Sequence, residues 1–103
     1  MLVIPERQQV LKIDILFIDN SRLIAFDYLF YDTDRTKYSY QWMSAANQLI
    51  HRWDNAHAVN LPTSPHHQHV GSEENIHPSE PMTLDLVLTF ITGQLSEGWC
   101  APG

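Results

Sequence analysis

Pro65-His66-His67-Gln68-His69 is the segment richest in groups that can do chemistry, with His57 upstream and His77 downstream. An imidazole changes charge near neutrality and carries two distinct ring nitrogens, so such a cluster suits proton transfer or metal ligation. In an extended backbone His67 and His69 point to the same side, which fits two ligands or an acid/base pair. A zinc site would need three or four ligands, and His57, His77 or Asp54 could complete the set. No spacing here matches a recognised metal motif, so no metal and no cofactor is assigned. The competing reading is a polar loop whose histidines bond to backbone.

The elements that must position these groups are read from periodicity. Leu11, Ile13, Ile15 and Phe17 alternate through Val10–Ile18, the signature of a half-buried strand. After Asp19-Asn20-Ser21 a second strand runs from Arg22 to Tyr31, with Ile24, Phe26, Tyr28 and Phe30 on its apolar face. A two-residue loop at Asn20-Ser21 sets Ile15 opposite Phe26 and Phe17 opposite Ile24. The same register sets Asp14 opposite Asp27, an unfavourable like-charge pair that Lys12, Arg52 or a bound cation could relieve, or that salt screens as two solvated carboxylates. Asp32–Thr36 connects to a second hairpin, Lys37–Ser44 and Leu49–Asn55, turning at Ala46-Asn47. Its pairing is Trp42 with His51, Tyr40 with Trp53 and Tyr38 with Asn55. Lys37, Ser39, Gln41, Arg52 and Asp54 then share the polar face. His51, between Trp42 and Trp53, reads as a packed histidine.

A helix over Thr83–Leu95 covers the face bearing Ile15, Phe26, Tyr40 and Trp53. Thr83 is its N-cap, Asp85 suits the positive first turn, and Leu84, Val87, Leu88, Ile91 and Leu95 form one stripe. Gly93 and Gly98 weaken its end. Residues 56–82 show no period, hold Pro62, Pro65, Pro78 and Pro81, and carry five of the six histidines. A stretch of that length is expected to be functional or disordered. The resulting expectation is one α+β domain. Residues 1–9 form an arm, 10–55 a four-stranded antiparallel meander, 56–82 a His/Pro-rich loop, 83–95 one C-terminal helix on the apolar face, and 96–103 a tail.

Composition narrows the function classes. The chain has 103 residues, room for one core. Its apolar runs are too short to span a bilayer and it opens on no basic-then-apolar leader, so it is expected in the cytoplasm, off the membrane. The single cysteine, Cys100, permits no intrachain disulfide. A net charge of −6 argues against nonspecific nucleic-acid binding and suits a basic protein partner.

The run Lys37-Tyr38-Ser39-Tyr40-Gln41-Trp42, followed by Leu49-Ile50-His51-Arg52-Trp53-Asp54-Asn55-Ala56-His57, resembles the TumE-type toxins of prokaryotic toxin–antitoxin modules. The likeness continues through Pro65-His66-His67-Gln68-His69-Val70 and Pro78-Ser79-Glu80-Pro81, and covers about two-thirds of the chain. Relative to that pattern the chain starts almost at its first strand, and Ala58 and Ser64 replace a second histidine and an aromatic residue. The resemblance implies a growth-inhibiting toxin with a small DNA-binding antitoxin as partner. The short start is expected to leave apolar sheet for that partner or for a homodimer.

Three functional readings follow. The leading one is a toxin that cleaves RNA or acts on a translation-associated target. His57, His66, His67 and His69 are the candidates for proton transfer, Arg52 and Lys37 for charge stabilisation, and Asp54 for orienting a histidine. The second is a non-enzymatic binding module neutralised by its antitoxin. The third is a metal-dependent hydrolase or transferase using the loop histidines and the Asp14–Asp27 pair.

Overall fold

The structure, a computed structural model, describes residues 8–30 and 35–96. The alternating first segment forms β1 (Gln8–Leu16), and the second forms β2 (Arg22–Phe30). The Tyr/Trp-rich hairpin is β3 (Arg35–Met43) and β4 (Leu49–Asp54). Two short strands follow, β5 (His67–Val70) and β6 (Ile76–Pro78), and then one helix, α1 (Leu84–Ser96). Every strand pairs antiparallel with its neighbour in sequence, giving one sheet in the order β1 to β6.

The α+β class, the antiparallel meander and the C-terminal helix agree with the sequence reading, but the sheet has six strands rather than four. The additional pair lies inside the stretch expected to be a loop. Gly71, at φ 76°, opens its connection, and Val70 N donates to Asn75 O at 3.0 Å. Gly71 N donates to Ile50 O at 2.9 Å, tying that turn to β4.

The second correction concerns register. β1 and β2 pair with Ile15 opposite Leu23 and Ile13 opposite Ala25, not with Ile15 opposite Phe26. Phe17 N donates to Ser21 O at 2.8 Å, so the loop holds three residues, Ile18-Asp19-Asn20, of which Asn20 takes the left-handed conformation at φ 68°. An odd shift in register moves a strand's side chains to the other face. Leu23 and Ala25 are therefore the buried residues of β2. Phe26 and Tyr28 stack on the opposite face, with Lys12 Nζ 5.4 Å from the Phe26 ring. Asp14 lies opposite Ile24 and pairs with Arg22 at 3.1 Å, while Asp27 lies on the other face and accepts the Tyr40 hydroxyl at 2.7 Å. The Asp14–Asp27 pair does not exist, and a cation site built on it is withdrawn.

The second hairpin has the expected partners, Tyr40 with Trp53 and Trp42 with His51. Its turn is closed by Ser44 N donating to Gln48 O, with Asn47 at φ 62°. Above that aromatic face lies α1, capped as expected: Thr83 Oγ1 accepts from Leu86 N, and Thr83 O from Val87 N. Val87 and Ile91 are fully buried against Leu23, Tyr40, Trp42 and Trp53. Leu84, Leu88 and Leu95 pack at the margins, with Ile13, Ile15 and Phe17 from β1 and its turn. The Phe90 ring meets Trp53 edge-on at 5.5 Å. The helix thus covers the face of Ile15, Tyr40 and Trp53 but not Phe26. Gly98, Cys100, residues 1–7 and the connection over 31–34 lie outside the described residues.

Ile91→Ala should therefore cost about 2–5 kcal/mol, since it empties a fully enclosed site. Phe26→Thr, on the face the helix leaves open, should cost less than half as much. Urea melts of the two variants check this, and equal losses would place the covered face wrongly.

Candidate functional site

Strand alternation makes β4 serve two purposes at once. Trp53 points to the helix, while Arg52 and Asp54 point to the opposite, open face. The ladder between β4 and β5 sets His69 opposite Arg52 and His67 opposite Asp54. These four side chains consequently meet at one end of the open face, beside Gln41 of β3. Asp54, His67 and His69 are each less than 5% exposed, so their polar atoms face one another rather than solvent.

The Asp54 carboxylate is central. His67 Nε2 lies 3.1 Å from Oδ1, and His69 Nε2 lies 3.6 Å from Oδ2. Arg52 Nε donates to Oδ2 at 3.2 Å, and Ala56 N donates to Oδ1 at 3.2 Å. Arg52 is held in turn by Glu73, whose carboxylate takes both terminal nitrogens, and by Gln41 Oε1 at 3.2 Å. Such a fork of parallel bonds fixes the guanidinium plane.

Both buried rings are oriented from the other edge. His67 Nδ1 lies 2.9 Å from Pro65 O, and His69 Nδ1 lies 2.8 Å from Glu73 O. A carbonyl can only accept, so each Nδ1 carries a proton, and Nε2 is the ring atom turned to the Asp54 carboxylate. Arg52 Nη2 also approaches His69 Nε2, at 3.3 Å. His67 Nε2 is buried without any hydrogen-bond partner. Its approach to Asp54 has the distance of an ion pair but not the direction of a hydrogen bond.

The remaining candidates divide. His57 is exposed and its ring lies 5.2 Å from that of His67, so it joins the rim of the cluster. His66 turns elsewhere: its Nδ1 lies 2.8 Å from the Tyr38 hydroxyl and its ring stacks on Tyr38 at 5.8 Å. Lys37 is exposed on β3, opposite Tyr28. His77 is exposed and bonds to Asn75 Oδ1. The sequence reading missed Glu73, which fixes Arg52 through its side chain and His69 through its carbonyl. The Gly71-Ser72-Glu73-Glu74-Asn75 turn was the available signal, since a glycine-led loop between two short runs marks a hairpin.

Two tyrosines and one histidine back the site from the helix side. The Tyr38 hydroxyl accepts from Met82 N at 3.3 Å, joining β3 to the approach of α1 as well as to His66. Burial raises the Tyr38 phenol above its ordinary value, and burial together with the bond to Asp27 raises Tyr40 further. His51 stacks on Trp53 at 4.0 Å and bonds Gln68 Oε1 at 2.6 Å. Burial holds its pKa below the ordinary 6.5, against the opposing pull of Gln68.

In chemical terms, the site offers two imidazole nitrogens and one carboxylate. One donor atom from each of Asp54, His67 and His69 lies within 4.8 Å of the other two. The set can share a proton or hold a cation, and the partly exposed Arg52 can receive an anion. An antiparallel meander under one helix, with a buried His/Asp/Arg centre on its open face, defines a small α+β protein with one polar centre between β4 and β5. The chain matches the family model described as Toxin TumE over residues 2–95, and it belongs to that family. No curated protein and no solved structure gives a significant match. Membership makes the chain a toxin component of a toxin–antitoxin system and implies an antitoxin partner. No helix among the described residues is long and apolar enough to cross a membrane.

A pH prediction follows from His51. Its pKa is lowered on folding, so the unfolded chain binds more protons and stability falls as pH drops below 6.5 toward the folded value. His51→Phe keeps the stack on Trp53 and removes the titration. Chemical denaturation between pH 7.5 and pH 5 should show a shallower acid loss for this variant than for the parent. Parallel curves would refute the assignment.

Proposed function

We propose that this toxin cleaves RNA at the centre formed by Asp54, His67, His69, Arg52 and His57. The observation that supports the reading is the meeting of these five groups at one end of the open sheet face, where strand pairing fixes all but His57. Cleavage within the strand needs no outside co-reactant. The 2′-hydroxyl gives up its proton and attacks phosphorus, and the 5′-oxygen leaves and takes a proton. The products are a 2′,3′-cyclic phosphate and a 5′-hydroxyl. His57, the exposed imidazole, is assigned the proton exchange with substrate. Arg52, released in part from Glu73, is assigned the charge on the crowded phosphate. Asp54, His67 and His69 form the buried base of the centre. His66 is given no part in the reaction, because its ring is engaged by Tyr38.

On this reading the toxin works in the cytoplasm and is held inactive by a small DNA-binding antitoxin, with a homodimer as a further assembly. The burial of Asp54, His67 and His69 favours a second reading, in which their network only pins β5 to β4 and growth is inhibited by binding. Growth inhibition and RNA integrity should be measured for His57→Ala, Arg52→Gln and His69→Asn. The catalytic reading expects intact RNA and activity lowered roughly a hundredfold to ten-thousandfold, the usual contribution of an acid/base group. His66→Ala should retain activity. Full toxicity of the folded His57 and Arg52 variants would leave the binding reading in place.

A further inference from the structure

We infer that Asp54, His67 and His69 form a binding site for one divalent first-row transition-metal ion, with zinc the best match to the donors. The inference deepens the proposed catalytic centre and rests on that reading only for the metal's use, not for its binding. Three observations carry it.

The first is spacing. A tetrahedral zinc ion with bonds of about 2.0–2.1 Å holds adjacent donor atoms roughly 3.3 Å apart. The two histidine-to-carboxylate separations are 3.1 Å, to Oδ1, and 3.6 Å, to Oδ2. One donor atom from each of the three residues lies within 4.8 Å of the other two, close enough for one ion to draw them together.

The second is the protonation pattern. Metal-ligating histidines generally donate their other ring N–H to a carbonyl or carboxylate, which fixes the tautomer and aims the lone pair. His67 and His69 both do this, through Pro65 O and Glu73 O. The two rings stand two residues apart on β5, and both present Nε2 to the same carboxylate.

The third is an unmet requirement. His67 is fully buried, and its Nε2 has no hydrogen-bond partner. A buried polar nitrogen without a hydrogen-bond partner costs free energy. A cation between Nε2 and Asp54 removes that penalty. Arg52 meets part of this need at His69 and Asp54 Oδ2, but it is placed on the far side from His67 by the strand register.

Two histidines and one carboxylate leave a fourth position for water or a phosphoryl oxygen, as in catalytic zinc sites. His57 stands beside His67 at the rim and is suited to proton exchange there. An ion at this place would polarise the phosphate, and Arg52 would offset the negative charge of the phosphate oxygens.

The test uses the untagged full chain, stripped by chelator and titrated with zinc or with cobalt as a visible probe. One equivalent should bind and give the intense visible bands of four-coordinate cobalt. Imidazole 15N spectra should move the Nε2 signals of two rings, assigned to His67 and His69 by single substitution, and leave His66 and His77 unmoved. His69→Ala should weaken binding by about a hundredfold or more, since even outer-sphere changes cost ten- to a hundredfold. His77→Ala should bind as the parent does. Because His67 variants could unfold, the spectrum of the parent decides the matter. Absence of stoichiometric binding in the folded parent, or unmoved Nε2 signals, overturns the inference. Binding with no RNA cleavage would uphold the site and discard the ribonuclease reading. RNA cleavage by metal-free protein in excess chelator would uphold the ribonuclease reading and discard the metal's part in it, leaving the binding test to decide the site.

Discussion

One strand carries the structure: β4 is buried on both of its sides. Trp53 enters the aromatic core beneath α1, and the next residue, Asp54, enters the polar centre on the opposite face. Sheet geometry allows no slack between them, because adjacent side chains on a strand must point to opposite faces. The packing of Trp53 against Tyr40, His51 and Phe90 therefore fixes the height and direction of the Asp54 carboxylate. The hydrophobic core and the polar centre are two readouts of one backbone.

Register extends this control outward. β5 reads the same alternation from β4, so Gln68 joins the helix side and bonds His51, while His67 and His69 turn to Asp54 and Arg52. Glu73 then closes the polar centre from the β5–β6 turn. Tyr38 does a related job on the other face, where one hydroxyl meets both His66 and the backbone before α1. Removing water from these groups makes each unpaired atom expensive. That cost is what makes the lone His67 Nε2 informative.

Much of this was legible in the sequence because β3 and β4 allow only one reading. Tyr38, Tyr40 and Trp42 alternate with Ser39 and Gln41, and the facing strand alternates in step, so pairing and faces followed directly. β1 and β2 were ambiguous, since Ile24 and Phe26 are as apolar as Leu23 and Ala25. Their parity is decided by the local bonds of the turn, where Asp19 Oδ1 accepts from Ser21 N and Oγ, and by Trp42 Nε1, which donates to Ser21 Oγ. Side-chain hydrogen bonds of that kind leave no periodic trace. β5 and β6 were missed because four and three residues are too few to show a period, and prolines bracket them. The shared side of His67 and His69 was nevertheless readable from their spacing alone. The separate fate of His66 was not, because it depends on the Tyr38 hydroxyl.

The order of strands in the sheet, the same as their order along the chain, has a consequence for how the molecule is made. Each ladder joins chain neighbours, so pairing can proceed stepwise from β1 without waiting for distant segments. During synthesis the N-terminal parts appear first. All six strands, and with them Asp54, His67 and His69, emerge before residues 84–96. The polar centre can therefore assemble while Tyr40, Trp42 and Trp53 still face water on the other side, and the nascent sheet is at its stickiest just when its polar centre is complete.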